Sequence, residues 1–333
     1  MEENNVDFVI TWVDGNDEKW IEEKEKYSEK RETEANSKIR FRDWGTLKYW
    51  FRAVEKFTPW VNNIFFVTYG HLPDWLNTEN SKIKIVNHAD YIPNEYLPTF
   101  NANVIEIYMN KIPDLSEQFV YFNDDMFVTS YLSKEDFFKG KKAKDMLAFN
   151  SVSAKESNNI VEHLVINDLE IISKYFNKNR YIKNNFSKVF NLRYGKLNMK
   201  SVLLLPWKYF TGIENPHMPT PLFKKTFETI WDKEEENLKN MSINKFRTKN
   251  DYNQWLFRYW QLLEGRFVPK SMKRCKYYDL KEENKEFLEK IKKNKYDMVC
   301  INDSDNSLNF EKIREELIAA FEDFLPEKSS FEK

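Results

Sequence analysis

Residues 119–128 read FVYFNDDMFV, an apolar run that is interrupted by Asn123, Asp124 and Asp125 and then continues. Its aromatic and β-branched residues predict a buried β-strand over Glu117–Asp124. Burying an unpaired carboxylate is costly, so a strand that ends on two acids requires a partner that neutralises them. The stretch therefore predicts a sheet with a charged site at its edge.

Strands and helices alternate on the N-terminal side of this stretch. Three further runs have the apolar, β-branched character of buried strands. The segments between them carry helical spacing or a capping residue such as Asp17. This alternation predicts an α/β fold with a mixed, mostly parallel sheet flanked by helices. The predicted strands are Val6–Val13, Asn63–Thr68 and Lys82–Val86, and the predicted helices are Glu18–Ala35, Trp44–Phe57 and Ala102–Ile112.

Helices dominate after about Gly140, and we expect them to pack on the sheet as a helical lobe because no flexible linker separates the two halves. We therefore predict an α/β core over residues 1–150, a mainly helical part over residues 151–328 that completes the same unit, and a frayed tail over residues 329–333. The predicted strands here are Met146–Phe149 and Asp297–Asn302, and the predicted helices are Asn158–Phe176, Arg180–Phe190, Pro221–Asn240, Asp251–Glu264 and Asn309–Leu325.

The composition argues against several classes of protein. The 52 Lys and Arg residues balance 53 Asp and Glu residues, so the chain lacks the basic footprint of a nucleic-acid binder. Its seven glycines form neither a dinucleotide-binding nor a phosphate-loop fingerprint. Two cysteines are too few for a disulfide framework, and the sequence shows no secretion signal and no membrane-spanning run of about 20 apolar residues. We expect a cytoplasmic protein that contacts a membrane at most peripherally.

Acidic residues follow three of the predicted strands. Asp14 follows the first, Asn123–Asp125 the fourth and Asn302–Asp303 the last. Ligands of open α/β sheets bind beyond the carboxyl ends of the strands, so these side chains are expected to converge there. Convergent carboxylates favour a hard cation such as Mg²⁺, which also accepts phosphate oxygens. Taken singly, Asp14 and Asp303 are better explained as ordinary turn residues.

The division of labour between Asp124 and Asp125 stays open at this stage. Successive residues of an extended strand point to opposite faces of the sheet. One of the two carboxylates would therefore bind the cation and the other would brace the loop, and the sequence does not show which.

The segment Pro216–Pro221 (PHMPTP) is the second candidate for chemistry. Thr220 and Pro221 are a good N-cap and first-position pair, so a helix is expected to begin there. His217 would then lie beside a helix N-terminus, where backbone N–H groups favour phosphate. A histidine in that place is suited to take a proton from a nucleophile.

Basic and aromatic residues supply the remaining candidates. Arg247 would present its planar guanidinium to a phosphate, and Arg40 and Arg42 are secondary candidates for the same role. Trp12 would offer a stacking face to a base or sugar, although a tryptophan in the core is the more common case. The lysine-rich turn 139–144 would contact anionic lipid or a pyrophosphate, or be an ordinary solvated loop.

These motifs together resemble the Stealth protein family. They occur in the order seen in that family and cover roughly Val6 to Asp305. Two small departures are Ile10, where an aromatic residue is common, and Thr248, where serine is common. The motifs are ITWVDG (10–15), RFRD (40–43), LKYWFR (47–52), PW (59–60), IFFVTYG (64–70), LPTFN (97–101), FNDDMF (122–127), HMP (217–219), FRT (246–248) and CIND (300–303).

The resemblance implies a sugar-1-phosphate transferase that uses Mg²⁺ or Mn²⁺. Such an enzyme moves hexose-1-phosphate from a nucleotide sugar, such as a UDP-hexose, to a glycan hydroxyl group and releases a nucleoside monophosphate. Bacterial members build phosphodiester-linked capsules and other surface polysaccharides, and the acceptor would be a lipid-linked oligosaccharide. The chain lacks the large inserted modules of the animal relatives, which argues against a protein acceptor.

Residue roles follow from the resemblance, motif by motif. His217 would be the base that activates the acceptor, and Arg247 would offset charge on the phosphoryl oxygens. The metal would be held by Asp124, Asp125 and Asp303. The residues expected to bind substrate are Trp12, Asp14, Arg40, Arg42, Asn123 and Asn302.

Two other functions remain open at the level of sequence. A metal-dependent glycosyltransferase would also place an acid pair at the end of a strand, but it would transfer only the sugar. A non-catalytic glycan-binding module would use the aromatic residues as sugar platforms, and it gives His217 no role. The released nucleotide separates the two enzymes, because phosphoryl transfer from a UDP-sugar releases UMP and glycosyl transfer releases UDP.

Overall fold

The computed structural model describes residues 5–28, 41–153, 160–303 and 308–333. The strands in these ranges are β1 (Val6–Thr11), β2 (Ile64–Thr68), β3 (Ile83–Asn87), β4 (Gln118–Phe122), β5 (Met126–Val128), β6 (Ala143–Asp145), β7 (Thr220–Phe223), β8 (Phe267–Pro269), β9 (Cys275–Asp279) and β10 (Met298–Asn302). The helices are α1 (Glu18–Tyr27), α2 (Leu47–Phe57), α3 (Ala102–Ile107), α4 (Val161–Tyr175), α5 (Lys178–Asn184), α6 (Phe186–Val189), α7 (Leu197–Leu203), α8 (Lys224–Ser242), α9 (Gln254–Leu263), α10 (Lys285–Lys292) and α11 (Phe310–Phe324).

The main sheet has the strand order β3-β2-β1-β4-β7. Its first four strands are parallel, with Phe8 of β1 aligned to Ile64 of β2 and to Val120 of β4, and β7 runs antiparallel to β4 at the edge. All five residues of β2 and of β4 are buried. Strands covered on both faces read as continuous apolar runs, which is why the sequence reveals them. The predicted mixed, mostly parallel sheet is confirmed.

A turn at Asn123–Met126 carries the chain from the main sheet into a second one. The amide of Met126 donates to the carbonyl of Asn123 at 3.1 Å. Strand β5 then pairs antiparallel with β10, and β10 pairs parallel with β9. Asp124 and Asp125 therefore lie in a turn between two sheets and not at the end of one extended strand. Their opposite orientation in a single strand was a wrong expectation.

Apolar side chains pack on both faces of the main sheet. Phe8 and Phe122 belong to one cluster, with helices α2 and α11. Val9 and Tyr121, the neighbours of these residues along each strand, point to the other face and pack with α8 and α9. Each cluster draws residues from both halves of the chain, so the helical part and the α/β part share their cores.

The helix predicted over Pro221–Asn240 begins later than expected. Thr220–Phe223 forms the edge strand β7, and α8 starts at Lys224. Leu222 and Phe223 are fully buried against the sheet, and covering the edge of β4 outweighs the local capping signal. Proline is tolerated here because an edge strand leaves one row of N–H groups unused.

The expected position of the sixth strand was wrong. The strand predicted over Met146–Phe149 lies at β6 instead, and only Phe149 forms a bridge, with Ile213. The carbonyl of Met146 accepts a hydrogen bond from the side chain of Arg258, so it is not paired with a neighbouring strand in the described part of the chain.

Residues 329–333 are packed and not frayed. Phe331 is buried, with its ring 5.2 Å from that of Phe51. The two oxygens of Glu332 accept from the Nε and Nη2 atoms of Arg52 at 2.8 Å each.

The remaining helices match their predictions with shifted ends. Asp17 caps α1 by accepting from the amide of Trp20 at 2.7 Å, as expected, and α1 ends at Tyr27. The predicted continuation to Ala35 runs into residues 29–40, outside the described residues. The helix predicted over Arg180–Phe190 is divided at Asn185 into α5 and α6.

Candidate functional site

A cavity of about 320 Å³ lies beyond the carboxyl ends of β1, β4 and β10. The sequence predicted that the acidic residues after the first, fourth and last strands would converge there, and those after the fourth and last strands do. Asp14 lies beside the cavity, where its amide donates to Nε2 of His71 at 2.8 Å, and Arg40 lies outside the described residues. The predicted site residues that line the cavity are Trp12, Arg42, Asn123, Asp124, Asp125, His217, Arg247, Asn302 and Asp303.

Asp125 has the most defined surroundings of the acids in the cavity. Its backbone carbonyl accepts from the amide of Ile301 at 2.9 Å, which ties the turn to β10. The thiol of Cys300 donates to Oδ2 at 3.2 Å, and Nε2 of His217 lies 3.9 Å from the same oxygen. The other oxygen, Oδ1, is buried and accepts no hydrogen bond from the described residues. A buried carboxylate oxygen of this kind is suited to a cation.

His217 reaches the cavity from a loop and not from a helix N-terminus. Its φ of +50° lies in the left-handed region, which is uncommon for a residue other than glycine. The loop is held by Arg258, whose Nη1 donates to the carbonyl of Glu214 at 3.0 Å and to Oδ1 of Asn215 at 2.9 Å. The predicted anion site at a helix N-terminus was wrong, because β7 follows this loop.

Arg258 is itself fixed by a buried ion pair. Its Nε and Nη2 atoms donate to the two oxygens of Asp145 at 2.7 and 2.8 Å. Burial opposes the charge of Arg258, but the Asp145 carboxylate outweighs it and leaves the pKa of Arg258 raised. Because both partners are almost fully buried, breaking one would leave an uncompensated charge.

Several acids sit close enough to raise one another's pKa. Asp124 has an exposed surface but lies inside the cavity, where desolvation by the surrounding protein, followed by the charges of Asp125 and Asp43, raises its pKa. Burial is likewise the main cause that raises the pKa of Asp43, and the charge of Asp14 adds to it. A divalent cation would relieve this repulsion, because it favours the ionised form of each carboxylate.

The cationic side chains of the cavity face these acids. Nη1 of Arg42 lies 3.6 Å from Oδ2 of Asp303. Arg247 lines the same cavity, and its charge opposes the rise in the pKa of both Asp124 and Glu106. The site therefore combines acids for a cation with cations for an anionic substrate.

The backbone around Arg247 is organised by one buried residue, Asp251. Its Oδ2 accepts from Nδ2 of Asn101 at 2.8 Å and from Nδ2 of Asn103 at 3.1 Å. Its Oδ1 accepts from Nδ2 of Asn244 and from Oγ1 of Thr248, both at 2.8 Å, and the amide of Thr248 donates to Oδ2 at 3.0 Å. These bonds join the LPTFN and FRT motifs and fix the loop on which Arg247 stands.

The donor set at Asp125 can be tested against the expected metal. The atoms that lie within 4.8 Å of one another belong to Asp125, His217 and Cys300, whereas Asp124 and Asp303 line the same cavity. Burial is the main cause that raises the pKa of the Cys300 thiol, so the sulfur stays protonated and acts as a hydrogen-bond donor. Mg²⁺ needs only one or two carboxylates and keeps water in its other positions. Asp125 with a second acid of the cavity therefore fits Mg²⁺ or Mn²⁺.

Trp12 combines both of its expected environments. It lines the cavity, yet only 8% of its surface is exposed, and one ring face stacks on Phe66 at 5.7 Å. Asn302 also has a structural partner, since its Nδ2 donates to Oδ1 of Asp279 at 2.7 Å. Packing therefore holds Trp12, and a hydrogen bond holds Asn302, before any substrate binds.

Three functional candidates were missed from the sequence. Cys300 lies in the CIND motif and Asp43 in the RFRD motif, but only their neighbours were assigned. Glu106 lies in α3 with no motif around it. It is buried at the cavity wall, where it accepts from the hydroxyl of Tyr121 and from the amide of Gln254, both at 3.1 Å. Only the spatial arrangement identifies these three residues.

Among the described residues, no helix combines the length and the apolar character that crossing a bilayer requires.

Comparisons with known proteins find relatives over the whole chain. Two family models match, Stealth protein conserved region 1 over residues 4–32 and conserved region 2 over residues 40–146. The capsular polysaccharide phosphotransferase WcwK of Streptococcus pneumoniae is 42% identical over 98% of each chain. The exopolysaccharide phosphotransferase cps2G of Lactiplantibacillus plantarum is 39% identical over 99% of this chain and 96% of its own.

A solved structure also aligns with the chain. It is an apo structure of the bifunctional glycosyltransferase WbbM, which matches 96% of this chain and 50% of its own at 11% identity, with a TM-score of 0.38. A likeness at that level carries no argument about function.

Proposed function

Because the chain belongs to the Stealth protein family, we propose that it transfers hexose-1-phosphate from a nucleotide sugar, such as a UDP-hexose, to a hydroxyl group of a glycan. Its relatives over the full length are named as phosphotransferases of capsular polysaccharide and exopolysaccharide, which supports an enzyme of the transferase class in polysaccharide biosynthesis. The product would be a phosphodiester linkage in a bacterial surface polysaccharide. We propose a lipid-linked oligosaccharide as the acceptor.

The observation that carries this proposal is the meeting of Asp125, His217 and Arg247 in one cavity. They come from segments that lie about 90 and 30 residues apart in the chain, and each has a chemistry that phosphoryl transfer requires. A carboxylate binds the cation of a diphosphate, an imidazole accepts a proton, and a guanidinium offsets negative charge. A binding module would not need a base beside a cation ligand.

The proposed step is an in-line displacement at the phosphorus attached to the sugar. The acceptor oxygen forms a new bond to that phosphorus, and the bond from phosphorus to the oxygen of the nucleoside monophosphate breaks. The proton of the acceptor hydroxyl passes to Nε2 of His217. The imidazolium so formed faces the Asp125 carboxylate at 3.9 Å, which stabilises its charge. The bond between the sugar and its phosphate stays intact throughout.

The protein contributes mainly position and charge, as is general for phosphoryl transfer. When bound, Mg²⁺ or Mn²⁺ would neutralise charge on the diphosphate, and Asp125 with Asp124 and Asp303 would hold it. Arg247 would bind the phosphoryl oxygens. The residues proposed to bind the rest of the substrates are Trp12, Asp14, Arg42, Asn123 and Asn302, with Arg40 retained from the sequence alone.

Mass-spectrometric product analysis tests this function. The protein is incubated with Mg²⁺, a panel of nucleotide sugars and an oligosaccharide acceptor, with Asp125→Asn protein as the matched control. We expect the acceptor to gain a hexose and a phosphate group while UMP appears from a UDP-sugar. A gain of hexose alone, with release of UDP, would instead establish the glycosyltransferase. Tight glycan binding with no turnover of any donor would establish the binding module.

A further inference from the structure

Exposed apolar side chains are concentrated in one short part of the molecule, residues 186–209, which we name the docking segment. Among the described residues, 15 large apolar or aromatic side chains are exposed, and eight of them lie in these 24 residues. Leu192 is 96% exposed, an extreme value for leucine. The six most exposed side chains within the docking segment are those of Phe186, Leu192, Met199, Leu203, Trp207 and Tyr209. Such a concentration marks an interaction surface.

The charge of this region is as uneven as its hydrophobicity. Residues 171–213 contain nine Lys and Arg residues and no Asp or Glu, in a chain whose net charge is only −1. Arg193, Lys196 and Lys208 are exposed, and no ion pair joins them to another described residue. Lys200 pairs with Glu214 at 3.6 Å. The docking segment therefore presents apolar and aromatic groups inside a field of positive charge.

The docking segment is anchored to the body of the protein, so its exposed residues hold a defined surface. The buried ammonium of Lys178 donates to the carbonyls of Leu204 and Trp207 at 2.6 and 2.7 Å. The buried Ser201 of α7 accepts from the amide of Phe149 at 2.9 Å. Because residues three and four apart share a helix face, Met199, Val202 and Leu203 project together on the other side of α7.

The lysine-rich turn 139–144 extends this basic surface. Lys188, in α6, donates from Nζ to the carbonyl of Gly265 at 2.9 Å. Burial is the main cause that lowers its pKa, and the charge of Lys142 adds to the effect. The amide of Ala143 donates to the carbonyl of Arg266, the neighbour of Gly265, at 2.9 Å. The turn therefore lies next to Lys188 of the docking segment. Lys139, Lys141 and Lys142 are all exposed.

We propose that the docking segment binds the surface of a bilayer rich in anionic lipid. Aromatic and aliphatic side chains ringed by Lys and Arg are the arrangement that inserts shallowly at a lipid interface while the charges bind headgroups. Trp207 and Tyr209 suit the boundary between headgroups and acyl chains. A two-fold contact with a second copy is disfavoured, because it would place the same positive charges against each other. This surface does not depend on the reaction proposed above.

Vesicle flotation of the full chain tests the inference without any substrate. We expect binding to phosphatidylcholine vesicles that contain about 30% phosphatidylglycerol, and little binding to phosphatidylcholine alone, because the anionic surface supplies the attraction. The triple variant Arg193→Glu/Lys196→Glu/Lys208→Glu should bind at least about 100-fold more weakly, since each basic residue near such a surface is worth about fivefold in the binding constant. The double variant Leu203→Ser/Trp207→Ser should weaken binding by about tenfold or more.

The matched control is Lys111→Glu/Lys273→Glu/Lys295→Glu, which changes the net charge by the same amount at exposed lysines elsewhere. We expect it to float as the unmodified protein does, and circular dichroism should show that all variants are folded. Equal losses for the control and the docking-segment triple would overturn the inference, because the attraction would then be non-specific. Absence of flotation of the unmodified protein would also overturn it. Light scattering that showed a dimer disrupted by the docking-segment variants would assign the surface to self-association instead.

Discussion

Asp125 connects the proposed cation site to the proposed base, His217. Its Oδ2 is shared by the Cys300 thiol and the His217 imidazole, while Oδ1 is buried without a hydrogen bond from the described residues. This arrangement answers, as a proposal, the question that the sequence left open. Asp125 would be the principal ligand of the cation, and Asp124, whose pKa is raised by its surroundings, would be a further ligand beside it.

Substitution of the proposed base and of the proposed metal ligand should have different effects. We expect His217→Ala to lower kcat by about 10²–10⁴-fold, the range that general-base catalysis contributes. Asp125→Ala should lower it further, because the cation and the partner of His217 are lost together. Steady-state rates of nucleoside monophosphate release measure both. A folded and fully active Asp125→Ala protein would disprove the metal assignment.

Cys300 should act as a positioning residue through its thiol hydrogen. Cys300→Ser retains a donor to Oδ2 of Asp125 and should keep activity within about tenfold of the original. Cys300→Val is somewhat larger and has no donor, and the hydrogen bond to a charged group that it removes is worth about 1.5–3 kcal/mol. We therefore expect Cys300→Val to raise the Mg²⁺ concentration needed for half-maximal rate by about 10–100-fold. Equal behaviour of the two variants in a Mg²⁺ titration would contradict this role.

Some residues of the site could be predicted from the sequence, and others could not. Asp124, Asp125 and His217 stand out locally, because an acid pair inside an apolar run and a histidine between prolines are unusual. Cys300 does not, because its partner lies 175 positions earlier and only the pairing of β5 with β10 brings them together. Glu106 gave no signal either, since an acid on a helix is ordinarily solvent-exposed.

At the scale of elements, the loop between α8 and α9 illustrates how a polar network positions a catalytic candidate. Asp251 accepts hydrogen bonds from three asparagines and from Thr248. Arg247 is thereby held at the cavity without a helix or strand of its own. The sequence showed the FRT motif, but it gave no indication that Asp251 organises it.

Removing Asp251 should disturb both stability and the site. We expect Asp251→Ala to lower the free energy of unfolding by about 3 kcal/mol, because several buried donors lose their acceptor. At a temperature where the variant is folded, it should also lose activity as Arg247→Ala does. Thermal unfolding and donor turnover measure the two effects. Asn250→Ala, at an exposed position of the same loop, is the control and should change neither.

The edge strand β7 shows why one element was misassigned. Thr220 and Pro221 satisfy the rules for the start of a helix, and a single sequence contains no information about the edge of β4 that needs covering. The helix itself was predicted correctly from Lys224 onward. Burial of Leu222 and Phe223 favours the edge strand over the helix start. It is a tertiary effect that local propensity does not include.

At the scale of the whole molecule, the main sheet was predictable and the rest of the architecture less so. Buried parallel strands such as β2 and β4 are recognisable in the sequence as apolar runs. The second sheet joins β5 to β10 across about 170 residues, and no local pattern reports such pairing. The packed C-terminal segment was missed for a similar reason, since Phe331 and Glu332 find their partners, Phe51 and Arg52, on α2.

The C-terminal segment should contribute substantially to stability. We expect deletion of residues 329–333 to lower the free energy of unfolding by more than about 4 kcal/mol. Truncating a buried phenylalanine costs about 3–5 kcal/mol, and the loss of Glu332 leaves buried Arg52 with fewer acceptors. Denaturant unfolding measures the change. Glu327→Ala, an exposed acid just before the segment, should have little effect, and an equally stable deletion variant would show that the packing contributes nothing.

In the proposed reaction the phosphorus moves together with the sugar, and transfer of an isotope label shows whether it does. A UDP-hexose labelled with ³²P at the phosphate attached to the sugar is incubated with the protein, Mg²⁺ and an oligosaccharide acceptor. We expect the glycan to become radioactive in step with the release of unlabelled UMP, and Asp125→Asn protein to transfer no label. Elongation of the glycan with the label retained in UDP would contradict the proposed reaction.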